Sequence, residues 1–200
     1  MAMHDAPHHR PDPQAALHSL LSRYSLGIKH LSEPGPDEVQ LRGLIEAALR
    51  APDHGELVPF RLVAIAGSAR EKLADLFERH AAGRGKDAAG LAIERERALK
   101  APLTLVVLAR IDLAHPLVPA HEQWMAVGGA VSNLLSAAHA MGFAGKMLSG
   151  DKTRSPALAA AWCEPGETLV GWIALGTPTR PPRSGRSKAQ VAQVLRHWSV

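Results

Sequence analysis

Hydrophobic positions along the chain follow helical spacing in some segments and form short continuous runs in others. Leucines at helical spacing predict an amphipathic helix over residues 14–22, and Asp37 is a plausible N-cap for a second helix. That helix must end near Ala51, because Pro52 disfavours helical geometry in the residue before it. Further helices are predicted over residues 69–80, 91–99 and 122–142, and strands over residues 60–66, 103–109, 145–149 and 169–175.

This succession places helices in blocks with strands scattered between them, which predicts an α+β or three-layer α/β/α fold in one domain. Two hundred residues at 46% hydrophobic composition can bury a substantial core. The first residues are rich in His and Pro and predict a disordered lead-in. The basic, Pro-rich tail is expected to close with a helix.

The longest uncharged stretch, residues 125–143, holds nineteen residues, of which ten are Gly, Ala or Ser. It is nearly long enough to span a bilayer, but Asn133 and His139 interrupt it, and Gly and Ala contribute little transfer energy. A buried helix with no solvent face is favoured instead. Its small residues would let another backbone approach closely, either within a monomer or from the same helix of a second subunit; they are Gly128, Gly129, Ala130 and Ser132.

The net charge of +4 is not gathered into a dense Lys/Arg tract, and one Tyr with three Phe offers few stacking platforms. Nucleic-acid binding is therefore not expected. A single cysteine, Cys163, excludes an intrachain disulfide and fits a reducing compartment. The first residues lack the apolar segment of a secretory signal. A cytoplasmic protein without a membrane span is expected.

Common catalytic motifs are missing or incomplete. His121 and Glu122 begin a zinc-binding HExxH string, but Met125 stands where the second histidine would be, so no metal site is expected. No GxGxxG follows a predicted strand, and no GxSxG nucleophile elbow occurs. Any enzymatic activity would therefore depend on a cofactor, and no side chain is assigned as catalytic.

Six short motifs occur in an order and spacing that resemble the FMN-dependent nitroreductase family, in particular its short NAD(P)H nitroreductase branch. Each motif is weak alone, and together they cover about residues 14–185. The motifs are Arg23-Tyr24-Ser25, Arg50-Ala51-Pro52-Asp53-His54, Val58-Pro59-Phe60, Lys100-Ala101-Pro102, Gly142-Phe143-x-Gly145 with Ser149-Gly150, and Gly171-x-x-x-Leu175-Gly176-Thr177-Pro178.

The resemblance implies an α+β fold of three layers, with a central mixed β-sheet flanked by helices, and an intertwined homodimer with FMN at the subunit interface. It divides the chain into a lead-in of residues 1–13, an FMN-binding domain of residues 14–185 and a C-terminal extension of residues 186–200. It also implies a ping-pong oxidoreductase. NADH or NADPH gives hydride to flavin N5 and leaves, and a small electron-poor acceptor, such as a nitroaromatic or a quinone, takes its place.

The resemblance further implies a set of cofactor contacts. Arg23 and Ser25 match residues that bind the phosphate and ribityl groups, with Tyr24 between them. Arg183 is the best match for a C-terminal phosphate-binding residue, and Arg180 is the second choice. Two groups complete the set: Arg50 and His54, expected from the other subunit, and Met147, Leu148 and Ser149, expected against the flavin ring.

Three departures from the family pattern affect positions near the flavin. Met147 stands where Trp is frequent, and Val58 stands where Gln is frequent. Lys29 is the candidate replacement for an Arg that usually follows Ser25. These departures leave an alternative open, a dimeric flavin-binding scaffold or sensor without reductase turnover.

Overall fold

A five-stranded sheet forms the middle layer of the computed structural model, which describes residues 12–181 and 189–198. Its strands are β1 (Leu31–Ser32), β2 (Phe60–Ala66), β3 (Leu103–Arg110), β4 (Ala144–Leu148) and β5 (Glu167–Pro178). β5 pairs with β3 along one side, and with β4 and then β1 along the other. β2 pairs with the remaining side of β3, which gives the order β1-β5-β3-β2 with β4 also on β5.

The α+β class and the three layers are confirmed, but the sheet differs from the expected mixed sheet in its strand directions. All four ladders are antiparallel, and parallel pairing among the described residues is confined to the isolated bridge between Ser25 and Gly145. The connections explain this. Two helices join β2 to β3 and return the chain in the opposite direction, and β5 lies between β3 and β4 and runs against both.

The described residues form seven α-helices: α1 (Pro13–Ser22), α2 (Glu38–Ala48), α3 (Ala69–Gly83), α4 (Ala88–Lys100), α5 (Ala120–Ala140), α6 (Pro156–Ala159) and α7 (Val191–Val194). The predicted helices and strands are confirmed to within a few residues, and Asp37 caps α2 by accepting a hydrogen bond from Gln40 N at 2.8 Å. The pattern misses β1 and α6, because elements of two and four residues carry no readable period. Disorder is predicted for residues 1–13, of which residues 1–11 lie outside the described ranges.

Each face of the sheet is covered by its own helix layer, because side chains of β3 alternate between two cores. Leu105 and Val107 lie in the core shared with α2 and α5, whereas Val106 and Leu108 lie in the core shared with α3, α4 and α6. All four are at most 1% exposed. Burial on both faces is the physical reason for the continuous apolar run in this segment.

Within the single subunit, α5 has one face against the sheet and an outer face that its own chain leaves uncovered, so burial on all sides would need a second subunit. Gly129 faces its own chain, since a Cβ built there would lie 3.1 Å from the Cβ of Ala51. A Cβ on Gly128 would meet nothing within 4 Å, and Gly128, Met125 and Ser132 are exposed on the outer side of the helix. In the described part of the chain, no helix is both long and apolar enough for a membrane crossing.

Candidate functional site

The loop that follows α1 lies beside the beginning of β4. Ser25 forms the parallel bridge with Gly145, and Leu26 N donates to Gly145 O at 3.3 Å. Arg23 and Tyr24 are half-buried, and Ser25 is exposed. The structure thus brings the first sequence motif next to the strand that carries the predicted ring-facing segment.

His139, near the end of α5, fastens this loop to the helix. Its Nε2 atom lies 2.9 Å from Ser22 Oγ, and its ring meets the Tyr24 ring edge-on, with centroids 6.4 Å apart. Burial, together with the positive charges of Arg23 and His18, lowers the pKa of His139 below its ordinary 6.5. The neutral imidazole is therefore the form that holds the loop in place at physiological pH.

Side chains at the end of β4 alternate between the two faces of the sheet. Met147 packs against the core beside α2 and α5, whereas Leu148 packs against the core on the α3 side. Ser149 follows the strand and is exposed. β5 passes very close to this segment: a Cβ on Gly171 would lie 2.1 Å from Leu148 O, and its φ is +151°. Glycine at this position therefore allows the end of β4 to pack directly against β5.

A hollow of about 410 Å³ opens between Ser149 and the N-terminal loop, within the size range of small-molecule sites. Buried Phe77 and Trp172 form its apolar part. Four elements contribute positive side chains to it, namely Lys29, Arg97, Lys146 and Lys152. The sequence motifs point to Lys29 but not to Arg97 or Lys152. Arg97 and Lys152 lie outside every motif, and they reach the hollow because α4 packs beside the turn after β4.

Glu94 is the acidic centre of these cations. Its side chain is 2% exposed, and its carboxylate accepts hydrogen bonds from Lys86 at 2.6 Å, Lys152 at 2.7 Å and Arg97 at 2.8 Å. Burial alone would raise the pKa of Glu94, but the hydrogen bonds from Lys152 and Lys86 outweigh it and lower the pKa to about 2. Glu94 is thus ionised at neutral pH and orients two of the cations that line the hollow. Lys152 Nζ also lies 5.1 Å from the Phe77 ring centroid.

The chain beyond β5 returns to the N-terminal loop, where Thr179 N donates to His30 O at 2.9 Å. Arg180 follows directly, and its Nε is buried without a hydrogen-bond acceptor among the described residues. A buried unpaired donor costs free energy and suits a position where an anion binds. Arg183, the first choice from the sequence, lies outside the described residues.

His54 lies at the other end of α5, and Arg50 lies beside the middle of the helix, next to Ala51, which packs against Gly129. His54 Nδ1 is 2.7 Å from Glu122 Oε2 near the start of the helix, whereas Ser22 contacts His139 near its end. Seventeen residues with a rise of about 1.5 Å each separate these two contacts by roughly 25 Å along the helix. Within one subunit, therefore, the structure does not bring Arg50 and His54 to the loop that carries the first motif.

The loop that carries His54 has an unusual backbone. Glu56 and Val58 have φ values of +52° and +46°, which are rare for residues with side chains and rarest for β-branched ones. Asp53 supports this conformation, because its Oδ2 accepts a hydrogen bond from Val58 N at 2.7 Å. Such backbone strain is concentrated at ligand sites, which favours a binding role for this loop. No group of three His, Cys, Asp or Glu suited to a metal ion occurs in residues 12–181 and 189–198.

Comparisons with known proteins agree with one another. The model of the nitroreductase family matches residues 20–177. The chain is 37% identical over 164 residues to "Putative NAD(P)H nitroreductase YdjA" of Escherichia coli (strain K12), a match that covers 82% of this chain and 88% of that protein. Two solved structures share the fold at 19% identity. The nitroreductase-like family protein from Bacillus cereus has a TM-score of 0.79, and the match covers 94% of this chain and 98% of that chain. The FMN complex of a nitroreductase from Desulfovibrio desulfuricans has a TM-score of 0.69, and the match covers 96% of this chain and 99% of that chain.

Proposed function

The chain belongs to the nitroreductase family, and from this membership we propose that it is an FMN-dependent oxidoreductase that uses NADH or NADPH to reduce a small electron-poor acceptor, such as a nitroaromatic or a quinone. The observation that carries the proposal is the meeting of the Arg23–Ser25 loop, the end of β4 and the hollow beside Ser149. The name of the Escherichia coli relative and the FMN complex of the Desulfovibrio desulfuricans protein support the choice of donor and cofactor.

The residues present fit FMN. A phosphate group needs cations and amide or hydroxyl donors, and Arg180 has a buried donor with no acceptor among the described residues. Arg23, Ser25 and Arg180 would hold the phosphate and the ribityl chain, with main-chain groups of Tyr24. The ring would lie along the segment from Met147 to Ser149, beside the hollow.

When bound, FMN supplies a two-electron carrier that takes hydride from NAD(P)H and passes electrons to the acceptor in a ping-pong cycle. The task of the chain is to bind, orient and exclude water. Lys29 and Lys146 place positive charge in the hollow, which favours negative charge developing there. Phe77, Trp172 and Leu148 keep one wall of the hollow apolar. No side chain is needed as an acid or base, and none is assigned.

A homodimer follows from the same proposal. His54 lies roughly 25 Å along α5 from the loop of the first motif, and Arg50 roughly 15 Å from it, so they would serve the flavin held by the other subunit. α5 also carries exposed apolar side chains, with Trp124 41% and Met125 71% exposed. Apolar surface of this kind marks interaction sites, and the uncharged outer face of α5 suits a second copy of itself.

Gly128→Leu tests the dimer. A side chain there meets nothing within 4 Å in its own chain, so the isolated subunit should fold normally while the contact between two α5 helices is obstructed. We expect sedimentation velocity to show a shift from dimer to monomer. Gly83→Leu, on α3, is the matched control because it also meets nothing within 4 Å. Gly129→Leu is unsuitable, since it would strike Ala51 of the same subunit. A Gly128→Leu protein that remains fully dimeric would contradict this interface.

The visible spectrum of the purified protein, followed by anaerobic mixing with NADH and with NADPH, tests the activity. We expect a flavin absorption band that bleaches with at least one nucleotide and recovers when an acceptor is added. A protein that stays colourless after incubation with FMN would refute the flavoprotein assignment. A bound flavin that neither nucleotide bleaches would favour the alternative, a flavin-binding scaffold or sensor, which the departures at Val58 and Met147 motivate. A cytoplasmic location stays a prediction.

A further inference from the structure

A continuous basic groove leads away from the hollow beside Ser149. The hollow joins a second one of about 420 Å³, and this joins a third of about 650 Å³ between the end of α3 and the turn that precedes α6. Shared lining residues show the continuity. The first and second hollows share Glu94, Arg97 and Lys152, and the second and third share His80, Arg84 and Asp151.

Charge is strongly concentrated in this basic groove. Eight Lys or Arg side chains line it against two carboxylates, Glu94 and Asp151, which leaves a surplus of six positive charges. The whole chain has a net charge of only +4, so the rest of the molecule is slightly acidic. Opposite charges are drawn to such a focused field, which favours a ligand with several negative charges.

The groove follows one face of α3. Phe77 lines the first hollow, His80 lines the second and third, and Arg84 continues to the outer end. Positions three and four residues apart share a helix face, and the seven steps of the helix from Phe77 to Arg84 span about 10 Å. The outer end is lined by three arginines, which bind phosphate through paired N–H groups; they are Arg79, Arg84 and Arg154.

Two buried donors in the groove have no hydrogen-bond acceptor among the described residues. They are Trp172 Nε1 in the first hollow and His80 Nε2 further out. His80 Nε2 is 3.5 Å from an Asp151 carboxylate oxygen, too long for a good hydrogen bond. Buried donors are normally paired, so Trp172 Nε1 suits a ligand that brings acceptor oxygens, whereas His80 Nε2 faces the Asp151 carboxylate.

We infer that the basic groove binds the phosphate-bearing part of the pyridine nucleotide and makes the protein selective for NADPH over NADH. The inference rests on the proposed function, which puts the flavin ring at the inner end of the groove. The nicotinamide would lie at that end and the diphosphate beside Lys152 and Arg97. The 2′-phosphate, which NADH lacks, would lie among the outer arginines.

Calorimetric titration of the FMN-loaded protein tests the inference without turnover. We expect adenosine 2′,5′-bisphosphate to bind at least about tenfold more tightly than adenosine 5′-monophosphate, the effect of one charge-assisted hydrogen bond. Arg84→Gln and Arg154→Gln should each remove most of this difference. Lys72→Gln is the matched control, because Lys72 is an exposed cation of α3 outside the groove. In steady-state assays, Arg154→Gln should raise the KM for NADPH by a much larger factor than the KM for NADH.

Three results would overturn the inference. One is equal binding of the two adenosine nucleotides by the wild-type protein. Another is an effect of Lys72→Gln as large as that of Arg84→Gln. The last is loss of the flavin band in Arg84→Gln or Arg154→Gln, which would mean that the groove holds the FMN phosphate. Failure of the proposed function is distinguishable, since it appears as wild-type protein that takes up no FMN or whose flavin neither nucleotide bleaches.

Discussion

Replacing Glu94 by Gln should destabilise the protein in a pH-dependent way. The carboxylate has a pKa of about 2 in the folded chain against an ordinary 4.5. At about 1.36 kcal/mol for each pH unit, this difference corresponds to roughly 3.4 kcal/mol of stability at neutral pH. Two of its partners, Arg97 and Lys86, are 59% and 43% exposed. Because solvent weakens exposed pairs, we expect the variant to lose about 2–3 kcal/mol.

The stability that the Glu94 carboxylate contributes should depend on pH in a defined direction. A carboxylate with a lowered pKa contributes its full stability above 4.5 and loses it as the pH falls towards 2. About two-fifths of the contribution should be gone at pH 3.5, so the difference between wild type and Glu94→Gln should narrow there. Urea unfolding at pH 7 and pH 3.5 measures this, with Glu96→Gln, an exposed residue of the same helix, as the control. A Glu94→Gln variant as stable as Glu96→Gln at pH 7, or a deficit unchanged at pH 3.5, would refute the reasoning.

Three further changes have expected outcomes. Gly171→Ala forces a Cβ against Leu148 O and should lower the free energy of unfolding in urea by about 1–3 kcal/mol. The variant should also bind FMN more weakly in a fluorescence titration, and FMN binding with wild-type affinity would contradict the close packing. His139 has a lowered pKa, so stability should fall as the pH drops below 6.5, and His139→Asn should flatten that slope in thermal melts between about pH 5 and 8; an unchanged slope would exclude this histidine as its source. Arg61→Met leaves Glu167, whose side chain is 1% exposed, without the guanidinium that donates to it, although the backbone N–H of Glu164 still donates to its carboxylate. The free energy of unfolding should fall by about 3 kcal/mol, and Arg61→Lys should recover part of this loss. If both variants melt at the wild-type temperature, Arg110 replaces Arg61 and the prediction is wrong.

The strands and long helices could be predicted because their side chains meet simple environments. The residues of β2 and β3 are mostly apolar, with Arg61 as the polar residue of β2 and Thr104 and Arg110 as those of β3, and α2 has a cap and a following proline that mark its ends. The antiparallel direction of the sheet could not be predicted, since it depends on how helix pairs return the chain. The sequence also could not show which face of α5 packs against its own chain, because Gly128 and Gly129 are the same residue type but face opposite surroundings.

The candidate site was predictable only where short motifs mark it. Arg23, Ser25 and Ser149 stand in motifs, and the structure brings the loop and the strand together as expected. Glu94 and Lys152 carry no such signal. They are 58 positions apart in the chain and meet only because α4 packs beside the turn that follows β4. Ordinary surface charges and site charges look alike in a sequence, and burial separates them.

β5 aligns three other strands in one register. Leu175 lies opposite Leu103 of β3 and Gly145 of β4, and Thr177 lies opposite Ser32 of β1. An insertion or deletion of one residue within β5 would reverse its two faces and displace all three neighbours at once. Changes of length should therefore be excluded from this strand and accepted at the exposed tip of the loop between β3 and α5, around Leu113, which is 85% exposed. That tip is the place to insert a tag or a reporter domain, whereas Val118 further along the loop is buried.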